Sequence, residues 1–234
     1  MGPRLTPAAM IVLAALAAGG CSDQRAIHVI ESSGARAMDE GQYDLAAQEY
    51  AEVVERRPGR WRARLEHGRA LLNLREYELA REEFEVVYTR QPTDEVLELL
   101  ALAMLESGET DAMARLLRDR VEDDGGVEDW VRLGRFLRAA GDHDAAERAL
   151  LAGAAVDRGV SAEVQYQLAL LYDAIGDEPK AVERLAMAHW IDPEDERVIE
   201  LIRSYDRVPG PTFARTPREL NTSIAPEPEP IDEE

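Results

Sequence analysis

Six residues recur thirty-four positions apart near the start of the chain: Gly34, Tyr43, Ala46, Tyr50, Val53 and Pro58 return as Gly68, Tyr77, Ala80, Phe84, Val87 and Pro92. A fixed period of this length denotes a supersecondary unit that cannot bury its apolar face alone and stacks on copies of itself. The unit reads as helix, turn, helix, stop. Gly34/Gly68 and Ala46/Ala80 place small side chains where two antiparallel helices cross closely. Tyr43 and Tyr77 fall at the turn. Tyr50 with Val53, and Phe84 with Val87, form apolar i, i+3 pairs on the second helix, expected to face the next repeat. Pro58 and Pro92 close that helix, because proline lacks the amide hydrogen and clashes with the preceding turn.

The echo weakens and then returns. Residues 94–126 keep helical apolar spacing (Leu97, Leu100, Ala101, Met104, then Met113, Leu116, Leu117, Val121) but lack an aromatic and a closing proline, and read as a degenerate third repeat. From Trp130 the pattern sharpens through Leu133, Gly134, Leu137, Gly141, Ala146 and Leu150. A fifth unit follows at a spacing of 35, with Leu168, Ala169, Tyr172, Gly176, Ala181, Leu185, Ala188 and a terminating Asp192-Pro193. Over residues 27 to 193 the sequence resembles the tetratricopeptide family, whose marks are Trp-x-x-Leu-Gly, here Trp130 to Gly134, and the recurrent Ala-x-x-x-aromatic/Leu. The resemblance implies an all-α fold, an α-solenoid of about five helix-turn-helix repeats (27–60, 61–93, 94–126, 127–160 and 161–194). Residues 195–207, with Val198, Leu201, Ile202 and Tyr205 on one face, read as a capping helix over the last repeat. The whole span 27–207 is counted as one solenoid.

The N-terminus carries one basic residue, Arg4, an apolar run from Ala8 to Ala18, and the small pair Gly19-Gly20. This is the layout of a signal peptide over residues 1–20, and the run is far short of the roughly 20 residues a spanning helix needs. Cys21 is the only cysteine, so no intramolecular disulfide can form. Ala18-Gly19-Gly20-Cys21 resembles the lipobox of bacterial lipoproteins, which implies cleavage before Cys21 and acylation of that residue with palmitate-type chains, residues 21–26 serving as linker. Several acyl chains anchor firmly where one would bind only marginally. Ser22 fits outer-membrane sorting, with Asp23 one place beyond the usual inner-membrane signal.

The chain has 27 Lys and Arg against 47 Asp and Glu, a net charge of −20. Such a body repels nucleic acid and anionic head groups, so membrane association is expected from the lipid and not from a basic patch. After Val208, prolines punctuate a segment with few large apolar residues that ends in Glu227-Pro228-Glu229-Pro230-Ile231-Asp232-Glu233-Glu234. Residues 208–234 therefore read as a disordered acidic tail, with docking to a basic partner as the sharper use.

No motif for chemistry stands out. His28, His67, His143 and His189 sit in separate repeats without His-Glu-x-x-His or paired-Cys spacing. There is no Gly-x-Ser-x-Gly elbow and no phosphate-cradling glycine loop, and Gly125-Gly126 reads as a turn. Carboxylate pairs such as Glu82-Glu83 and Asp123-Asp124 read as solvated helix faces, and Trp61, Trp130 and Trp190 as core ahead of partner anchors. No catalytic, cofactor or metal residue is assigned, and no small-molecule substrate.

The family resemblance implies a groove lined by positions 2, 5, 9, 12 and 13 of each first helix: Arg62, Leu65, Arg69, Leu72 and Asn73 in the second repeat, and Glu128, Val131, Arg135, Arg138 and Ala139 in the fourth. Four arginines would then face a partner's carboxylates or, equally, pair with acids of the same chain. The first repeat offers Glu31, Ala35, Met38 and Asp39, which do not match the clamp of chaperone-binding members. The expectation is a non-enzymatic, lipid-anchored adaptor facing the periplasm, binding an extended peptide or helix of another envelope protein. It resembles the tetratricopeptide lipoproteins that assist assembly of type IV pilus secretins. Alternatives are an accessory subunit or regulator of a cell-envelope enzyme such as a cell-wall hydrolase or synthase, an enzyme with an unrecognised site, or a solenoid with a purely structural, self-associating role.

Overall fold

A computed structural model describes residues 25–221. The expected signal peptide, Cys21 with its expected lipidation, and the acidic residues from 222 onward lie outside the described residues. Regular structure within them is helical: α1 (Ile27–Asp39), α2 (Tyr43–Arg56), α3 (Trp61–Asn73), α4 (Tyr77–Arg90), α5 (Asp94–Glu106), α6 (Thr110–Asp123), α7 (Val127–Ala139), α8 (His143–Asp157), α9 (Ala162–Ala174), α10 (Glu178–Ile191), α11 (Glu196–Ser204) and a short 3₁₀ turn, Arg218–Asn221. This is the all-α repeat fold expected, with α1/α2, α3/α4, α5/α6, α7/α8 and α9/α10 as the pairs. No helix among the described residues is long and apolar enough to cross a membrane.

The turn between paired helices is the same each time. Gly41, Gly108, Gly141 and Gly176 take φ of +70°, +82°, +85° and +76°, and Arg75 occupies the equivalent place at +65°. At each, the amide that follows returns to a carbonyl one turn back: Gln42 N to Ala37 O, Glu76 N to Leu71 O, Glu109 N to Met104 O, Asp142 N to Leu137 O and Asp177 N to Tyr172 O. This is a Schellman closure, whose left-handed residue favours glycine. The positions of these residues give repeat lengths of 34, 33, 33 and 35. A search at 34 therefore loses register after Arg75. The third repeat also holds Ala101 and Met113, both fully buried, where its neighbours have glycine and alanine. It is a regular helix pair with shifted spacing.

Glycine on the first helix serves the large residue on the second. A Cβ at Gly34 would stand 3.0 Å from the Tyr50 ring, and one at Gly134 only 2.6 Å from Leu150 Cδ2. Tyr50 thus packs against α1 of its own repeat, and it also borders a cleft that Trp61, Ala63 and Glu66 of the next repeat line. Ala46, Ala80, Ala146 and Ala181 are fully buried. α2 and α4 end two residues ahead of Pro58 and Pro92, as proline's missing amide requires. Side-chain caps hold later helix starts: Thr93, Asp142, Ser161, Asp177 and Asp195 accept from the first-turn amides of α5, α8, α9, α10 and α11.

Packing divides the chain into two compact units, one up to Glu83 and one from Phe84, with the boundary inside α4. In the first unit α1 packs on α2, and α2 on α3. In the second, α5 through α10 pack in sequence, with α7 also touching α5 and α9. α11 covers the end of α9 and α10 through Val198 and Ile202, buried against Ala169, Leu185 and Ala188, which is the capping role expected of it.

The chain beyond α11 departs from the expected disordered tail. Residues 208–221 turn back and dock on the second unit. Pro217 is buried, the Arg215 amide donates to Ala186 O at 2.9 Å, and Glu219 pairs with Arg184 at 2.7 Å. Composition misleads here because a few well-placed groups, Phe213, Pro217 and Glu219, suffice when the receiving surface is already folded.

Candidate functional site

α1 and α3 are the first helices of consecutive repeats, and between them lies a cleft of about 710 Å³ in the first unit. His28, Glu31, Ser32 and Ala35 line it from α1, Trp61, Arg62, Ala63 and Glu66 from α3, with Gly59 and Arg60 at the preceding turn and Tyr50 from α2 beneath. On α1 the lining residues combine spacings of three (28/31, 32/35) and four (28/32, 31/35), which return to one face of a helix. Tyr50 reaches the floor because Gly34 has no side chain to stop it. Burial, reinforced by Glu66, Glu31 and Asp39, pushes its phenol up to about 12, so it stays a neutral, aromatic surface.

The rim is charged. Arg60 Nη1 donates to both oxygens of Glu31, at 2.6 and 2.8 Å. The Arg62 guanidinium lies over the Trp61 ring, 5.0 Å from its centroid, a cation–π contact on an exposed arginine. An aromatic and methyl floor with Arg62 at the edge suits an extended segment presenting an apolar side chain and a carboxylate.

Of the residues assigned from sequence, Arg62 lines this cleft, as do Glu31 and Ala35. Leu65 is buried core, 6% exposed. Arg69 pairs with Glu66 at 3.2 Å, Leu72 is half-buried, and Asn73 donates to Arg69 O at 2.8 Å. In the second unit Val131 is half-buried, Arg135 pairs with Glu98, and Arg138 buries a partnerless Nε. Pairing within the chain thus describes Arg69 and Arg135, and an available guanidinium describes Arg62. Trp61 and Trp130 divide likewise: Trp130 is core at 8% exposure, while Trp61 forms cleft wall.

Sequence reasoning missed Tyr50 and Arg60 in the cleft, and Arg132 in the second unit. For Tyr50 the available signal was Gly34, sixteen residues earlier, which opens the space the ring fills. Arg132, 7% exposed, centres an ion network: its Nε donates to Glu98 at 3.0 Å, Nη1 to Asp129, and Nη2 lies 3.3 Å from Asp94. Arg120 joins through Asp94, Asp124 and Asp129. Only a buried arginine with several acids satisfies its donors this way, and sequence spacing does not distinguish it from Arg135.

Among the described residues, no group of three or more His, Cys, Asp or Glu is arranged to hold a metal ion. His67 bonds Glu83 at 3.1 Å, and His189 stacks edge-on to Phe213.

Comparison with known proteins agrees with the geometry. Residues 34–95 match the tetratricopeptide repeat family profile; curated protein sequences give no match. Among solved structures, TTC0263, a thermophilic TPR protein in Thermus thermophilus, is 19% identical, with 77% of this chain and 99% of that one aligned at a TM-score of 0.51. MamA protein is 19% identical over 79% of this chain and 98% of that one, TM-score 0.54. MamA 41-end from Desulfovibrio magneticus RS-1 is 17% identical over 77% and 97%, TM-score 0.54. The chain has the fold of tetratricopeptide repeat proteins.

Proposed function

We propose that this protein is a non-enzymatic adaptor that holds an extended segment of another protein in the cleft between α1 and α3. The observation that carries this reading is the cleft itself: a Tyr50 floor and a Trp61 wall, with Arg62 at the rim and no carboxylate of the described chain paired to it. Burial of one apolar side chain on that floor contributes about 1.5–3 kcal/mol, and the Arg62 fork adds a geometric preference for a carboxylate. The −20 net charge repels a partner that is acidic as a whole, so the carboxylate taken by Arg62 is expected on a partner without a large negative charge of its own.

The lipobox-like Ala18 to Cys21 supports a second part of the proposal, that the adaptor is lipid-anchored at Cys21 in a bacterial envelope, facing the periplasm, in the outer membrane by the Ser22 criterion. Its partner is then another envelope protein, in an assembly of the pilus-secretin or outer-membrane kind. Arg62→Glu should lower capture of the crosslinked envelope partner at least tenfold while helical content stays unchanged. Undiminished capture would overturn the cleft as the binding site.

A further inference from the structure

The surface under residues 213–220 is built as a site, and it lies outside the cleft described above. Arg184, on α10, is 7% exposed, and Gln165, on α9, is fully buried. Arg184 Nη1 donates to Gln165 Oε1 at 2.8 Å and to Glu219 Oε1 at 2.7 Å, and Gln165 Nε2 donates to Glu219 Oε2 at 3.2 Å. One carboxylate is therefore read by two buried donors, and an amide side chain in its place could not balance the guanidinium's charge. Beside this pair, Gly159 at φ +75° leaves the space that Pro217 and Leu220 fill: a Cβ there would lie 2.8 Å from Pro217 Cβ and 3.0 Å from Leu220 Cγ. Phe213 meets His189 edge to face, centroids 6.4 Å apart.

The occupying segment is held mainly by side chains: besides the Glu219 pairing, Arg218 pairs with Glu183 on α10, whereas Arg215 N to Ala186 O is its backbone hydrogen bond to the helices. The lead-in passes through Val208, 81% exposed, and Pro209-Gly210-Pro211. We propose that the α8–α9 turn with α9 and α10 forms a second peptide-recognition site. Its ligand is a protein segment with proline two residues before a glutamate and an apolar residue after it. In the resting chain, residues 213–220 fill it as a built-in ligand. A partner segment enters by displacing them, and the carboxylate demanded by Arg184 is the condition of entry.

The test uses full-length chain and a fluorescent peptide of residues 211–221. Glu219→Gln in the chain loosens its own strap while leaving the receiving site intact, so the peptide should bind this variant at least tenfold more tightly than wild type. A peptide bearing the same Glu→Gln change should bind it at least tenfold more weakly, and the double variant Glu219→Gln/Arg184→Gln should lose the gain. Hydrogen exchange should show Phe213 to Leu220 opening in Glu219→Gln with α9 and α10 still protected. The proposal is overturned if the variant binds the peptide no better than wild type, if both peptides bind alike, or if α9 and α10 lose protection together with the strap.

Discussion

Arg75 shows at one residue how the repeat tolerates a departure from its own rule. Four of the five intra-repeat turns place glycine in the left-handed region, and here an arginine takes φ +65°. A left-handed backbone costs an ordinary residue about 1 kcal/mol more than glycine. Arg75→Gly should therefore raise stability by about 1 kcal/mol in urea denaturation, and Gly141→Ala should lower it by a similar amount. Gly134 obeys a different constraint. Its space belongs to Leu150, and Gly134→Ala should cost about 1–3 kcal/mol by overpacking, relieved in part by Leu150→Val. If Gly134→Ala is neutral, the crossing of α7 and α8 is looser than the 2.6 Å between that Cβ and Leu150 Cδ2 implies.

At the scale of elements, ion pairs tie first helices to second. On the α3–α4 pair, burial pushes the Glu83 carboxyl up, but the His67 hydrogen bond and the Arg64 charge overcome it and hold the group below its ordinary range. Arg64 Nη1 lies 2.5 Å from it. A carboxyl lowered in the folded state contributes stability above its unfolded pKa, about 4.3, and loses it as pH falls through the folded value. Wild type should therefore lose stability more steeply than Glu83→Gln as pH is lowered from about 5 to 3, measured by chemical denaturation. Parallel curves would mean that the pair contributes nothing. Helix pairing of this kind was legible in advance from Gly34, Ala46, Tyr50 and Pro58, because those residues act within one repeat at fixed offsets. The third repeat was blurred because its spacing is 33 and Met113 fills the alanine position. The docked strap was not legible, since Phe213, Pro217 and Glu219 gain order only from α9 and α10, which no local pattern records. The groove arginines were half legible: helical position places Arg62 and Arg135 alike, but only the fold supplies Glu98 to one and Trp61 to the other.

At the scale of the whole molecule, the proposed lipid anchor and the cleft make separate predictions. Cys21→Ala should move the protein from the membrane to the soluble periplasmic fraction, read by fractionation of labelled cells; membrane retention without the thiol would refute lipid anchoring while leaving the cleft untouched. The cleft carries the central claim, and site-specific photo-crosslinking in the native envelope tests it most directly. With the crosslinker at Ala35, inside the cleft, or at Leu79, an exposed α4 residue that does not line it, the account predicts one discrete protein adduct from Ala35, absent from Leu79 and lost when Arg62→Glu is added. The same adducts from both positions, or an Ala35 adduct indifferent to Arg62, would contradict it.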